Sequence, residues 1–260
     1  MNATTTGVQN VGVGCSALFS ATTANNNVAV GFEVMKSTTT GSFNTAVGLV
    51  ALYTNTTGGE NTAFGYRALY SATTASYNTA LGSGCGDNIT TGAQNTVVGN
   101  QAMESATTGD DNVAIGYKAL GSITTTSDNV AVGSGAGQLT TGQLNTYVGH
   151  QAGKAATSGE NSTFIGAYCG SAYTVTGHHN TGLGYMAMHR MTSGANNTVL
   201  GDCAATYLNT GDENTIIGRG VAAAINSGGE NIIIGSGPVS YTHLRAHETR
   251  EDGGGGGGGG

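Results

Sequence analysis

The side chains that could ligate a metal, cycle redox state or move a proton are few. Cys15, Cys85, Cys169 and Cys203 are the only thiols, and the six histidines include one adjacent pair, His178-His179. Successive side chains of an extended chain point to opposite sides, so adjacent histidines do not converge on one axis as alternating ones would. The pair reads as part of a solvated bulge, and His150 and His189 as single side chains. Carboxylates gather before a recurring Asn: Glu60, Asp110, Asp111, Asp128, Glu160, Glu213 and Glu230. Calcium-binding β-rolls need a G-G-x-G-x-D pattern, which is absent, so these charges read as surface solubility. Thr pairs such as Thr73-Thr74, Thr90-Thr91 and Thr140-Thr141 raise water ordering, as on ice-binding solenoids. Such arrays use Thr-x-Thr in an outward strand, whereas these are adjacent, and Thr90-Thr91 and Thr140-Thr141 precede a turn Gly. Phe32, Tyr66, Tyr117 and Tyr185 each follow a motif Gly and are expected to project outward, where rings can stack on glycans. The reading is therefore no catalytic residue, no metal ligand and no cofactor.

These residues sit on a repeat. The motif Asn-(Thr/Val)-small-apolar-Gly places Asn at Asn10, Asn27, Asn44, Asn61, Asn78, Asn95, Asn112, Asn129, Asn145, Asn161, Asn180, Asn197, Asn214 and Asn231. Ten of the thirteen intervals are 17 residues, and the other three are 16, 16 and 19. The closing Gly keeps step at Gly14, Gly31, Gly48, Gly65, Gly82, Gly99, Gly116, Gly133, Gly149, Gly166, Gly184, Gly201, Gly218 and Gly235. Polysaccharide-cleaving solenoids carry paired carboxylates where long loops break the repeat; the largest insertion here is two residues, placed in the 19-residue interval with His178-His179.

A short β-branched run before each Gly predicts a strand. A second strand is expected around the Ala-Leu pairs Ala51-Leu52, Ala68-Leu69 and Ala119-Leu120, with Thr-Thr-x-Gly segments as turns. No window has helical length and period. Such a unit cannot bury a core alone, but stacked coils can. At a parallel-strand spacing of ~4.8 Å, fourteen coils make a rod of about 65 Å. Stacking predicts an Asn amide ladder along one corner, and glycines where positive φ or close backbone approach demands them. The residue before each Gly, from Val13 to Ile217 and Ile234, is expected to fill the interior. Its predecessor (Ala29, Ala46, Ala63, Ala80, Val97, Ala114, Ala131, Val199, Ile216, Ile233) should then face outward, yet it too is apolar. A strand apolar on both faces is buried on both, which points to self-association as a trimer; a monomer with an Ala-rich surface is the alternative. The same register puts Cys85 and Cys169 in the Ala place of the Ala-Leu pair, about 24 Å apart, and Cys169 about 10 Å from Cys203. Those separations exceed disulfide reach, so all four thiols read as small buried hydrophobes.

Composition agrees. The chain has 46 Gly but one Pro, Pro238, and no triplet period, which excludes collagen. With 38% hydrophobic and 9% charged residues it does not fit the disordered class. A net charge of −7 with eight scattered Lys and Arg leaves no basic footprint for nucleic acid. No apolar run reaches the ~18 residues of a membrane span. Residues 1–9 read as a partial repeat with an incomplete N-terminus, and 10–238 as the solenoid. The stretch from Val239 to Thr249 resembles a translated sequencing adapter and runs on to Gly253–Gly260; residues 239–260 are read as foreign. A basic peptide with a flexible Gly tail is the alternative.

The phrases Asn44-Thr-Ala-Val-Gly48, Asn112-Val-Ala-Ile-Gly116 and Asn129-Val-Ala-Val-Gly133 resemble the head repeats of trimeric autotransporter adhesins (YadA-like). The longer unit, as in Asn61-Thr-Ala-Phe-Gly-Tyr-Arg-Ala-Leu69 with its later Thr-Thr, is more similar to repeats of phage tail fibres. The resemblance spans residues 10–237. It implies an all-β, parallel, left-handed β-solenoid, a homotrimer displayed on a virion or bacterial surface. The 17-residue unit is longer than the adhesin coil, and no signal peptide, coiled-coil stalk or membrane anchor is read, which favours the fibre. The expected function is to space and present a receptor-binding tip for host attachment, with a surface glycan or receptor as partner. An adhesin head binding host matrix or glycans is the runner-up, and an ice-binding solenoid the third reading.

Overall fold

The computed structural model describes residues 6–223 and 225–237. The segment 239–260, read above as foreign, and Pro238 lie outside the described residues. The chain winds into a parallel β-solenoid. Fourteen three-residue strands, β1 (Val11–Val13) to β14 (Ile232–Ile234), form one sheet in strict sequence order, each parallel to the next. No helix occurs among the described residues. Registers are exact residue for residue, for example Thr45↔Thr62, Ala46↔Ala63 and Val47↔Phe64.

The coil from Asn44 to Glu60 shows how one unit closes. The strand Thr45–Val47 is followed by Gly48 at φ +137°, then by Val50 and Leu52 at φ 52° and 48°, and Glu60 returns the chain at φ 59°. The expected second strand at Ala51-Leu52, Ala68-Leu69 and Ala119-Leu120 is not formed. Leu52, Leu69 and Leu120 all have φ near 50°, a left-handed conformation that no strand contains. Their amides still bond to the neighbouring coil: Leu52 N–H donates to Ala68 O at 3.0 Å, and Leu120 N–H to Ala136 O at 3.0 Å. Coil-to-coil bonding, rather than strand geometry, satisfies the turns.

The corner Gly is required. An added Cβ at Gly99 (φ +128°) would stand 2.6 Å from the carbonyl oxygen of Gly116 directly above it. Both the conformation and the close approach exclude a side chain.

The strand faces are the reverse of the sequence expectation. The middle residue points inward: Ala29, Ala46, Ala63, Ala80, Ala114 and Ala131 are fully buried. The residue before the Gly points outward, and Val13, Phe64, Leu81, Ile115, Leu183, Leu200 and Ile234 are exposed. The reason is interior width. The equivalents of Leu52 (Leu18, Met35, Leu69, Met103, Leu120, Met188) and the buried Asn row already occupy the coil, so most coils place Ala beside them; the bulkier Val199 and Ile216 stand beside Ala205 and Ala222, while Val97 shares its coil with Met103.

Exceptions obey the same volume rule. β9 (Thr146–Val148) and β10 (Thr163–Ile165) point Tyr147 and Phe164 inward, fully buried, with ring centroids 5.9 Å apart. Around them the Leu52 equivalents become Gly137, Gly153 and Gly170, and the next inward strand residue becomes Gly182. A Cβ on Gly170 would lie 2.7 Å from Phe164 Cδ2. This compensation predicts coupled mutational effects. Tyr147→Ala should cost about 3–5 kcal/mol through its cavity, and Gly153→Leu alone should also destabilise by steric overlap. The double variant, which restores the Ala/Leu pairing of most coils, should recover much of both losses in denaturant unfolding. Additive losses would refute the pairing.

Candidate functional site

The most ordered polar constellation is the Asn corner. Asn61 is a typical member: its backbone N–H donates to Asn44 Oδ1 at 2.9 Å, its Nδ2 to the same oxygen at 3.0 Å, and Nδ2 again to Ala75 O at 2.8 Å. The pattern runs from Asn10 and Asn27 to Asn214 and Asn231. The side chains are buried from Asn27 onward, so the row is a structural network with no face for a ligand.

One member differs from the sequence reading. Asn161 lies outside the ladder; it is exposed at φ 54°, the conformation of Glu60, Asp111 and Asp128 in other coils. Ser162 holds the buried place: its N–H donates to Asn145 Oδ1 at 3.0 Å, and its Oγ accepts from Asn180 N–H at 3.2 Å. Asn161 misled because the ladder residue must immediately precede the strand, and here β10 begins at Thr163. The interval from Ser162 to Asn180 is then 18 residues, not 19.

The insertion also moves. Ala172 N–H bonds His189 O in the ordinary way, and Val175 pairs with Ala156, so Tyr173 and Thr174 are the two extra residues. Thr176 and Gly177 then both donate to Thr192 O with one residue fewer than usual between the turn's Thr and Gly. His178-His179 therefore sits in the regular corner rather than in the bulge. His178 Nδ1 accepts from Glu160 N–H at 3.2 Å, the role of Ser42 toward Asn25 N–H and of Asp110 toward Ala93 N–H.

That second row was not foreseen. Asn25, Ser42, Ser76, Asp110, Ser127 and Asp212 each use a side-chain oxygen to accept a backbone N–H of the preceding coil. Its signal is a short acceptor two residues before the ladder Asn in alternate stretches of the chain, with Gly59, Ala93, Ala195 and Gly229 in that place elsewhere. A third row uses the Thr pairs: Thr39, Thr56, Thr73 and Thr90 donate Oγ1 to the carbonyl of the next coil at 3.0–3.1 Å. In these coils the first Thr of the pair is engaged inside the wall; in Thr140-Thr141 the second takes that place, donating to Thr157 O at 3.2 Å.

The remaining reactive residues are separated or sealed. Cys85 and Cys169 are buried, while Cys15 is exposed and Cys203 half-buried, so only two of the four thiols are core residues. Register explains it: Cys15 and Cys203 occupy the outward places just after the corner Gly. His150 and His189 are not isolated, since both stand edge-on to Tyr168 at 5.2 and 6.4 Å, with Tyr185 at 6.2 Å. His189 Nδ1 lies 3.1 Å from Ser171 Oγ, but that hydroxyl donates to Tyr168 O at 3.0 Å and no carboxylate orients the imidazole. The contact fastens a turn rather than activating a nucleophile. Among the described residues no three His, Cys, Asp or Glu side chains are placed to hold a metal. Phe32, Tyr66, Tyr117 and Tyr185 are each about half exposed, and they do not form a continuous platform. No family model, curated protein or solved structure matches the chain.

Two measurements follow. Asn112 is bonded to Asn95, Asn129, Asp110 and Thr126, so Asn112→Ala should cost about 3 kcal/mol or more by orphaning buried groups. Asn161→Gly, which keeps the left-handed turn, should change unfolding by no more than about 0.5 kcal/mol; equal losses would place Asn161 back in the ladder.

Burial pushes the Cys85 and Cys169 thiols up to about 12 from 9.0. Between those values the unfolded chain releases protons that the folded chain keeps, so stability should fall as pH rises from 9 toward 12. Replacing both by Ala, the residue of most coils there, should flatten that part of the melting profile. A thiol reagent should label Cys15 and Cys203 in the folded protein and the other two only on denaturation.

Proposed function

We propose that the chain is a structural segment of a surface fibre, of the phage tail-fibre type, that self-associates as a trimer and holds a receptor-binding tip away from its base. The observation that carries this reading is the outer face of the sheet. Strand ends in fourteen successive coils present Val13, Val30, Val47, Phe64, Leu81, Val98, Ile115, Val132 and their successors as one apolar row, flanked by the Thr45 row. Turning the strand inside out relative to expectation strengthens the case, because the outward residues are Val, Leu, Ile and Phe rather than Ala. A continuous apolar strip of this length on a thin rod favours burial against another copy. Like strips on identical rods are self-complementary at any shared register, which suits a parallel homo-oligomer.

Rod-like rigidity supports a spacing role. Most coils repeat the same vertical hydrogen bonds, and each strand touches only its sequence neighbours in the sheet. No helix among the described residues is long and apolar enough to cross a membrane. Direct attachment, as by an adhesin head, is the second reading, favoured by the exposed Phe32, Tyr66, Tyr117 and Tyr185. Water ordering is a third, and it now rests on the outward strand threonines Thr45, Thr62, Thr79 and Thr96, aligned in the sheet.

Light scattering tests the leading reading. The chain of 25.7 kDa should run at three times that mass at micromolar concentration. Leu81→Lys with Ile115→Lys, both on exposed sites, should reduce it to one chain while the circular dichroism of the sheet is kept. A monomeric wild type would remove the trimer.

A further inference from the structure

The repeat departs from its own pattern most strongly on a flank away from the sheet. Where other coils carry Ser20, Ser37, Thr54, Ser71, Asn88, Ser105, Ser122, Leu139, Ala155 and Ala172, two successive coils carry Arg190 and Tyr207. The chain's two-residue insertion, Tyr173 and Thr174, falls directly beside them. Three large side chains thus rise together on a row that elsewhere carries no aromatic or charged residue among the described residues. Between them lies a groove of about 570 Å³ lined by Tyr173, Arg190, Thr192, Tyr207, Asn209 and Asn226, together with Ala223. That volume is in the range of small-ligand sites. Its floor is rigid, since Thr192 Oγ1 donates to Asn209 O and Asn209 N–H to Asn226 O, both at 2.9 Å.

The chemistry of the groove is set by Arg190. Its guanidinium lies 4.5 Å from the Tyr207 ring centroid and 6.0 Å from that of Tyr173. Arg67 makes a similar stack on Tyr70 at 4.1 Å, but there Asp87 closes the fork at 2.9 Å. Among the described residues no carboxylate pairs with Arg190. The two tyrosines are each 46% exposed even with the guanidinium over their rings. Asn209, in the groove wall, has a buried carboxamide oxygen without a donor.

We propose that this groove binds a carboxylate-bearing saccharide. The C–H face of a pyranose stacks on Tyr207 or Tyr173, and Arg190 takes the sugar carboxylate through its bidentate fork, which a neutral sugar cannot use. The asparagine and threonine side chains of the wall offer hydroxyl partners. Insertions in solenoids gather on the binding face, and among the described residues this is the one place where a coil carries one. The site does not depend on self-association, because its residues lie off the outer face of the sheet.

The test is calorimetric titration of the full chain with two acidic probes, a uronate tetrasaccharide and a sialyl trisaccharide, and with the methyl ester of whichever binds. At least one acid form should bind, its ester at least tenfold more weakly. Arg190→Gln and Tyr207→Ala should each weaken binding at least tenfold with unchanged melting, and Arg190→Lys should fall between. Arg67→Gln should leave it unchanged. No binding of either acid at millimolar concentration, equal binding of acid and ester, or retention of affinity by Tyr207→Ala would overturn the proposal. A monomeric wild type that still binds would leave the saccharide site standing while removing the trimer.

Discussion

Each coil must bring its backbone back under the same atoms of the next, and this vertical registration is the constraint on which the rest depends. A solenoid this thin has too small a core to hold itself by burial alone, so hydrogen bonds between coils must close on every side. The strand satisfies only three residues of seventeen. The other polar groups are taken up by left-handed turn residues, whose N–H groups point along the axis, and by three side-chain rows of Asn, short acceptors and Thr. The buried Asn is the most demanding of these. Its carboxamide accepts from the coil above and donates to the coils on both sides, which one hydroxyl does only in part; Ser162 accepts from Asn180 N–H and donates to Glu160 O.

Registration fixes interior volume as well. Because the coil path cannot widen, side chains exchange space instead. Tyr147 and Phe164 stand inside only where the facing left-handed position is Gly, and Gly86 lies against Ile89 and Leu69 in the same way. Left-handed Leu and Met residues at φ near 50° carry a conformational cost that non-Gly residues avoid elsewhere. They are held there because the same turn aims a long side chain into the core and its N–H at the next coil.

The period, the Asn corner, the corner Gly and the parallel strand were legible in the residues because each is a demand repeated in every coil. What was not legible follows from one missing quantity, the width of the interior. Judged by hydrophobicity, Val47 belongs inside and Ala46 outside; packed against Leu52, only Ala46 fits. The Ala-Leu pair reads as a strand by side chain, yet φ near 50° at Leu52 and Leu69 is set by the tight return of the chain and carries no composition mark. Asn161 matched the motif letter but stood one place too early to precede its strand. The thiols divide on the same ground: Cys85 and Cys169 fill an inward Ala place, whereas Cys15 and Cys203 follow the Gly on the outside.

Regularity and function pull in different directions in such a fold. The outer strand face owes its character to regularity, since an apolar row gains from every added coil and suits only a partner of equal length and period. Recognition of a small ligand needs the opposite, a place that no other coil duplicates. The flank of Tyr173, Arg190 and Tyr207 meets that condition: the insertion breaks the period, the Arg lacks the carboxylate that Arg67 has, and the coils above and below still supply a rigid floor. The carboxylate that completes Arg67 comes from Asp87 of the following coil, where Arg190 faces Tyr207 and an open groove. A solenoid can thus devote one flank to its own copy and another to a ligand, because each flank is a separate column of residues and a change in one leaves the registration of the others intact.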